Sequence, residues 1–414
     1  MRKVIDILLL VIFVGTLLTA CKYPIPIPEP TLTENHSLTP TFIPTLTRIP
    51  ESNSTPTPLV SETKTVSGNV NPLTGLKVQN SDTLKIPPIL VSITNFPPSA
   101  RPQAGLSYSP IVFEIWIGEG MTRFLSVFYG DFPPAVQEEN QDANSLTEGI
   151  QEPVIGPIRS GRLPYEHIRK LFNGLLVMDS AYKDVADRLS NYSNIYGSDD
   201  ANPNSAMLGI TQLEKIAETG QMELGEPTLS GQVFEGETPE GGSKAQSLWL
   251  FYSYLNQIFW RYDKISRTYH RYQDNADGST FIQATDRLNG EPLAFSNVIV
   301  LFADHKVERK YMIDIDLMYI KREKALLFRD GKMYEIYWTT ASEEYEKTTG
   351  RLRPIRFIDA QGNPFPLKPG QTWIEIVPIL THYWETIDSE IFNRLAGNEE
   401  PGSGFWAVRV YAPK

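Results

Sequence analysis

The run "IVFEIWIGEGMTRFLSVFY", residues 111–129, decides how this chain folds. Two segments dense in β-branched and aromatic residues flank Gly-Glu-Gly, the pattern of a β-hairpin. A two-residue turn at Gly118 and Glu119 would set Glu114 opposite Arg123, whereas a three-residue loop would break that pairing, and the sequence leaves the register open.

Outward from the hairpin, the elements alternate. Upstream, "IPPILVSITNF" predicts a buried strand bounded by prolines, followed by the irregular loop "PPSARPQAGLS". Downstream, "FPPAVQEENQDANSLTEG" predicts an exposed acidic loop, and "EPVIGPIRSGR" then leads into "LPYEHIRKLFNG". Pro164 suits the first helical position, Tyr165, Ile168 and Phe172 fall on one face, and Asn173-Gly174 is a stop. "LLVMDSA" predicts a buried strand and "YKDVADRLSN" a second short helix. Strands and helices beside a hairpin imply an α+β fold, with a mixed α/β N-terminal domain over 71–225.

Residues 226–246, rich in Gly, Glu and Pro and without sustained periodicity, are expected to be a linker. From 247 to 414 the sequence predicts a second domain of mostly antiparallel β structure. Aromatic strands ("SLWLFYSY", "QIFWRYD", "RTYHRYQ") come first, and Asp330-Gly331 is a hairpin signal between "KALLF" and "KMYEIYW". Trp249, Phe251, Phe259, Trp260, Tyr262, Tyr269 and Tyr272 read as core rather than as a stacking surface for sugars, since antiparallel sheets pack with aromatics.

The N-terminus carries an address. Arg2 and Lys3 precede an apolar run from Ile7 to Leu18, so 1–20 reads as a signal peptide too short to remain as a membrane span. Leu18-Thr19-Ala20-Cys21 resembles the lipobox of bacterial lipoproteins, and Cys21 is the sole cysteine of 414 residues. Lipidation at Cys21 would hold the chain on the outer, extracytoplasmic face of the cell membrane. Residues 21–70, with their Pro/Thr repeats, are expected to form a disordered tether reaching on the order of 100 Å. With no other thiol, the globular part must hold by packing alone.

A net charge of −11 argues against a nucleic-acid partner. One local basic feature stands against that balance. Arg159, Ser160 and Arg162 lie in a turn ahead of a helix start, with Arg123 and Arg101 in the hairpin and the preceding loop. Guanidinium forks match carboxylate or phosphate, and helix amides would add to them, so an anion-binding corner is expected. The alternative is a structural buttress in which Glu114, Glu119 and Asp179 neutralise these arginines. Glu119, His167 and Asp179 are the acid or base candidates should the site be catalytic. Ser160 lacks a nucleophile-elbow context and reads as a helix cap. No H-E-x-x-H occurs and Asp314 with Asp316 is weak evidence for a hard cation, so neither metal nor cofactor is expected.

"NPLTGL", "ARPQAGLSYSPIVFE", "GEGMTRFLSVF" and "IGPIRSGR" in this order resemble the YerB-like lipoprotein family, which carries the domain of unknown function 3048. "FWRYDKISRTYHRY", "NVIVLFADHK" and "LLFRDGKMYEIYW" resemble that family's C-terminal domain. The resemblance implies a membrane-attached, two-domain extracytoplasmic protein and supplies no reaction. Where it implies a histidine near the strand after the arginine turn, this chain has "LLVMDSAY". The reading is a lipoprotein that binds an anionic cell-wall polymer or an envelope protein through an arginine-lined cleft; the alternative is an envelope hydrolase or transferase acting on a phosphodiester or glycan.

Overall fold

The structure, a computed structural model, describes residues 68–134, 152–310, 312–386 and 404–413. Cys21, the signal segment, nearly all of the tether and most of the acidic loop lie outside the described residues. The described residues fall in one compact unit, Lys64–Lys414.

The N-terminal half supplies β1 (Ile89–Thr94), β2 (Ile111–Gly118), β3 (Met121–Phe128), α1 (Pro164–Phe172), β4 (Leu175–Met178), β5 (Tyr192–Asn194) and α2 (Ile210–Leu224). The C-terminal half adds β6 (Ser247–Ser253), β7 (Asn256–Asp263), β8 (Thr268–Asp274), β9 (Phe281–Gln283), β10 (Asn297–Ala303), β11 (Glu323–Arg329), β12 (Lys332–Thr339), β13 (Arg356–Ile358), β14 (Thr372–Pro378), β15 (His382–Glu385) and β16 (Phe405–Arg409). The fold is α+β, with a C-terminal region that is mostly strand.

One sheet of 11 strands runs β13-β12-β11-β10-β14-β2-β3-β1-β4-β5, with Ser243–Lys244 on β12. It takes strands from both halves of the chain, joined where β2 and β14 pair in parallel. A second sheet of seven strands runs β9-β8-β7-β6-β16-β15, with Ala294–Phe295 on β8. The two sheets pack face to face through Val112, Trp116 and Phe124 on one side and Leu248, Leu250 and Trp260 on the other. The opposite face of the large sheet is covered by Tyr165, Ile168 and Phe172 of α1. Covered on both faces, β1 and β2 are buried along their whole length, which is why they read as near-continuous apolar runs.

Residues 226–246 are packed rather than spanning: Leu229 is buried, Phe234 bridges Leu367, and Ser243–Lys244 is a sheet strand. Just before that stretch Gly220 lies inside α2, where a Cβ would come within 2.2 Å of the Leu175 side chain. Of the seven C-terminal aromatics, Trp249, Phe259, Trp260 and Tyr269 are buried in the core, whereas Phe251, Tyr262 and Tyr272 are half-buried at its margin.

Candidate anion-binding site

The hairpin register places the first arginine. Glu119 and Gly120 are the turn residues, with φ of 51° and 74°, as a type I′ turn demands. Gly118 then faces Met121, and the register shifts between Trp116 and Gly118, so that Ile117 is bulged out. Arg123 consequently pairs with Ile115, and Glu114 with Phe124. Because side chains alternate faces, Arg123 emerges on the α1 side and Glu114 between the two sheets. Glu114 is thus unavailable to the arginine turn: it accepts from Arg271 Nη2 at 2.9 Å, with both side chains fully buried.

The turn itself is woven into the sheet. The parallel pairing of β1 with β4 ends at Val91 and Val177, and residues 157–161 enter the gap beyond it. Thr94 N–H donates to Pro157, Arg159 N–H to Ser92, Asp179 N–H to Arg159 and Gly161 N–H to Ser180, all to backbone carbonyls. The turn therefore sits at the carboxyl ends of two parallel strands, where open α/β sheets hold their ligands.

Three guanidinium groups gather there. Arg123, 7% exposed, donates from Nη1 to the Ser160 carbonyl at 2.7 Å and more weakly to Ser160 Oγ at 3.4 Å. Its Nε is buried without a partner. Arg162 Nη1 donates to the Gly161 carbonyl, and its Nε is likewise buried and unpartnered. The side chain of Arg159 makes no hydrogen bond among the described residues. Burial pulls the Arg123 pKa down to about 9, with Arg162 and Arg159 pushing the same way and Tyr165 and Asp179 opposing. Tyr165, at the helix start, shares a hydrogen bond of 3.3 Å with Ser92 Oγ. None of the three arginines forms a salt bridge with a described residue.

The helix end contributes less than its sequence promises. Pro164 has no N–H, and the amides of Tyr165 and Glu166 already donate to the carbonyls of Arg162 and Leu163. Nor is Ser160 a cap: the residue preceding the helix is Leu163, and no side chain caps it. Any anion at this corner is held by side chains.

The other expected residues divide. Asp179 is at the corner, its pKa raised by burial and held back by Arg159 and Arg123. Glu119 is not: it pairs with Lys310 at 2.7 Å at the hairpin tip. His167 is tied through Nδ1 to the Ile315 carbonyl at 2.8 Å. Arg101 joins a different group, donating to the carbonyls of Asn95 and Asp274. Asp314 pairs with Arg188 at 3.2 Å. Sequence reasoning did not single out Ser92 and Tyr165 as parts of this corner; no local pattern marks them, since β1 and α1 meet only in the folded sheet.

Comparison with known proteins agrees with this architecture. Residues 73–216 match the family described as "Protein of unknown function (DUF3048) N-terminal domain", and 249–374 match its C-terminal domain. The chain is 27% identical over 326 residues to "Putative lipoprotein YerB" of Bacillus subtilis (strain 168), covering 75% of this chain and 86% of the relative. The crystal structure of the YerB protein from Bacillus subtilis superposes with a TM-score of 0.56 at 25% identity, covering 74% of this chain and 96% of that one. No helix among the described residues is long and apolar enough to cross a membrane.

Proposed function

We propose that this chain, which belongs to the DUF3048 family and carries both of its domains, is a lipoprotein anchored through Cys21 on the extracytoplasmic face of the membrane that binds an anionic envelope ligand at the Arg123, Arg159 and Arg162 corner. The lipobox-like Leu18-Thr19-Ala20-Cys21 and the similarity to a lipoprotein support the anchor. One observation carries the binding site: Arg123 is a nearly buried cation with an unused donor, neighboured by two further arginines and by no ion-paired carboxylate among the described residues. Burying charge without a counter-ion is unfavourable, so such a cluster favours an acid oxygen that would complete it.

The enzymatic alternative has less support, because Glu119 and His167 are engaged elsewhere and Asp179 alone remains beside the arginines. Thermal-shift titration of the full-length chain with inorganic phosphate and with poly(glycerol phosphate) tests the binding reading, since a ligand of the native state raises the melting temperature. We expect Arg159→Ala with Arg162→Ala to weaken binding at least ~10-fold, about 1.4 kcal/mol, while leaving a cooperative melt. Unchanged affinity in a folded double variant, or no shift with either probe, overturns it.

A further inference from the structure

Arg101 was grouped by sequence with the anion corner, yet it lines a separate cavity of about 210 Å³. One wall is the loop 98–103 and the other is the end of β8 with β9 and the residues that follow it. The first wall lies in the segment matching the family's N-terminal domain and the second in the segment matching its C-terminal domain. Small-molecule sites favour such junctions.

The lining has a definite chemistry. Polar groups come from Arg101, Gln273, Asp274, Asn275, Gln283 and Thr285. Some are fixed by the fold: Gln273 donates to Asn95 Oδ1 and accepts from Arg271, and Asp274 accepts the amides of Asp277 and Gly278. Arg101 spends Nε and Nη1 on backbone carbonyls, and its Nη2 is sealed from solvent without a partner. Apolar surface is supplied by Pro98, Pro102 and Ile282, the last 53% exposed.

We propose that this cavity binds a single sugar unit bearing a carboxylate or acetamido carbonyl. The carboxamides of Asn275 and Gln283 and the Thr285 hydroxyl suit a ring that offers hydroxyls as both donors and acceptors. The prolines and Ile282 suit its C–H face. The unpartnered Nη2 of Arg101, with its two N–H donors, requires a strong acceptor, which a plain hexose lacks and a carboxylate or amide carbonyl supplies. The volume lies below the roughly 300–1,000 Å³ of pockets for drug-sized ligands, which limits the occupant to one ring.

The test is saturation-transfer NMR on the full-length chain with glucuronate, N-acetylglucosamine and glucose, each up to about 10 mM, above the millimolar dissociation constants of weak sites. Signal from one of the first two, exceeding that of glucose, is expected. Because Arg101 also braces two backbone carbonyls, the variants are Gln283→Ala and Thr285→Val on the accessible wall, each expected to weaken binding about fivefold, a loss of one hydrogen bond. The Arg159→Ala, Arg162→Ala protein should bind these sugars as the wild type does, which separates this site from the anion corner. Absence of signal from glucuronate and N-acetylglucosamine, or binding that is unchanged in both wall variants, overturns the assignment.

Discussion

At the scale of single residues, local chemistry and folded environment part company most clearly at His305. The sequence sets it beside Asp304. In the fold it is only 6% exposed, its Nδ1 donates to the Ala303 carbonyl at 2.9 Å, and Nε2 is buried without a partner. Burial pulls its pKa from 6.5 down to about 4, so the folded protein keeps the ring neutral where the unfolded chain protonates it. Below pH 6.5 the unfolded state therefore binds the extra proton, and stability falls as pH drops towards 4, by at most about 3 kcal/mol from this group. Urea unfolding of wild type and His305→Leu at pH 7.5 and pH 4.5 should show a smaller loss in the variant; equal losses would mean that the ring is not buried neutral. The arginine corner teaches the same lesson in reverse. Arg159 and Arg162 were legible because charge in a glycine-rich turn is conspicuous, whereas Tyr165 looked like one apolar residue among several on a helix face.

At the scale of elements, the hairpin and the short strands were readable, but their registers were not. Two positive-φ residues make the turn, and the bulge at Ile117 then exchanges the faces that Arg123 and Trp116 would otherwise share. Nothing in "IWIGEG" announces the extra residue. The result is that Glu114 stands beside Glu375 on the parallel pair β2 and β14, both fully buried, with Arg271 as cation. Arg271 engages Glu114 and lies 4.8 Å from the Trp373 ring centroid, while Glu375 accepts from Tyr252 Oη at 2.9 Å and Trp260 Nε1 at 3.2 Å. Burial, then the Glu114 charge, raises the Glu375 pKa well above the ordinary range, so it is the protonated member of the pair. Opposite effects follow from the same substitution. Glu114→Gln removes the counter-ion of a buried guanidinium and should destabilise by about 3 kcal/mol. Glu375→Gln replaces one neutral group by another and should change stability by less than about 1 kcal/mol below pH 4.5, where the carboxyl is neutral in the folded and the unfolded chain alike. Its sign with pH is also fixed: a carboxyl with raised folded pKa is stabilising below the unfolded value of 4.5 and loses that contribution as pH rises, so the variant should gain on wild type with increasing pH. Chemical denaturation of both variants checks this, and a larger loss from Glu375→Gln would reverse the assignment of charge.

At the scale of the whole molecule, composition and length suggested two bodies separated by 226–246, and the family segments at 73–216 and 249–374 follow that division in sequence. Packing does not follow it. Long-range parallel pairing leaves no local trace, because β14 reads as a strand whatever strand it joins, and the β2–β14 pairing joins residues more than 250 positions apart. Three kinds of contact cross the sequence division. β2 pairs along five residues with β14, Val112 and Phe124 pack against Leu248 and Trp260, and the Glu114 carboxylate finds its cation on β8. A fragment of residues 71–225 would therefore expose an edge of β2, one face of its sheet and a carboxylate built for burial. We expect this fragment to lack a cooperative melt and to be cut rapidly by protease, and the full-length chain to lose structure in both halves in one transition. Circular dichroism at a wavelength sensitive to both halves, followed beside limited proteolysis, decides the matter. Two separated transitions, with the first half surviving the second, would show that the shared sheet couples the halves only weakly, for a fold held as one unit by an uninterrupted sheet must melt as one.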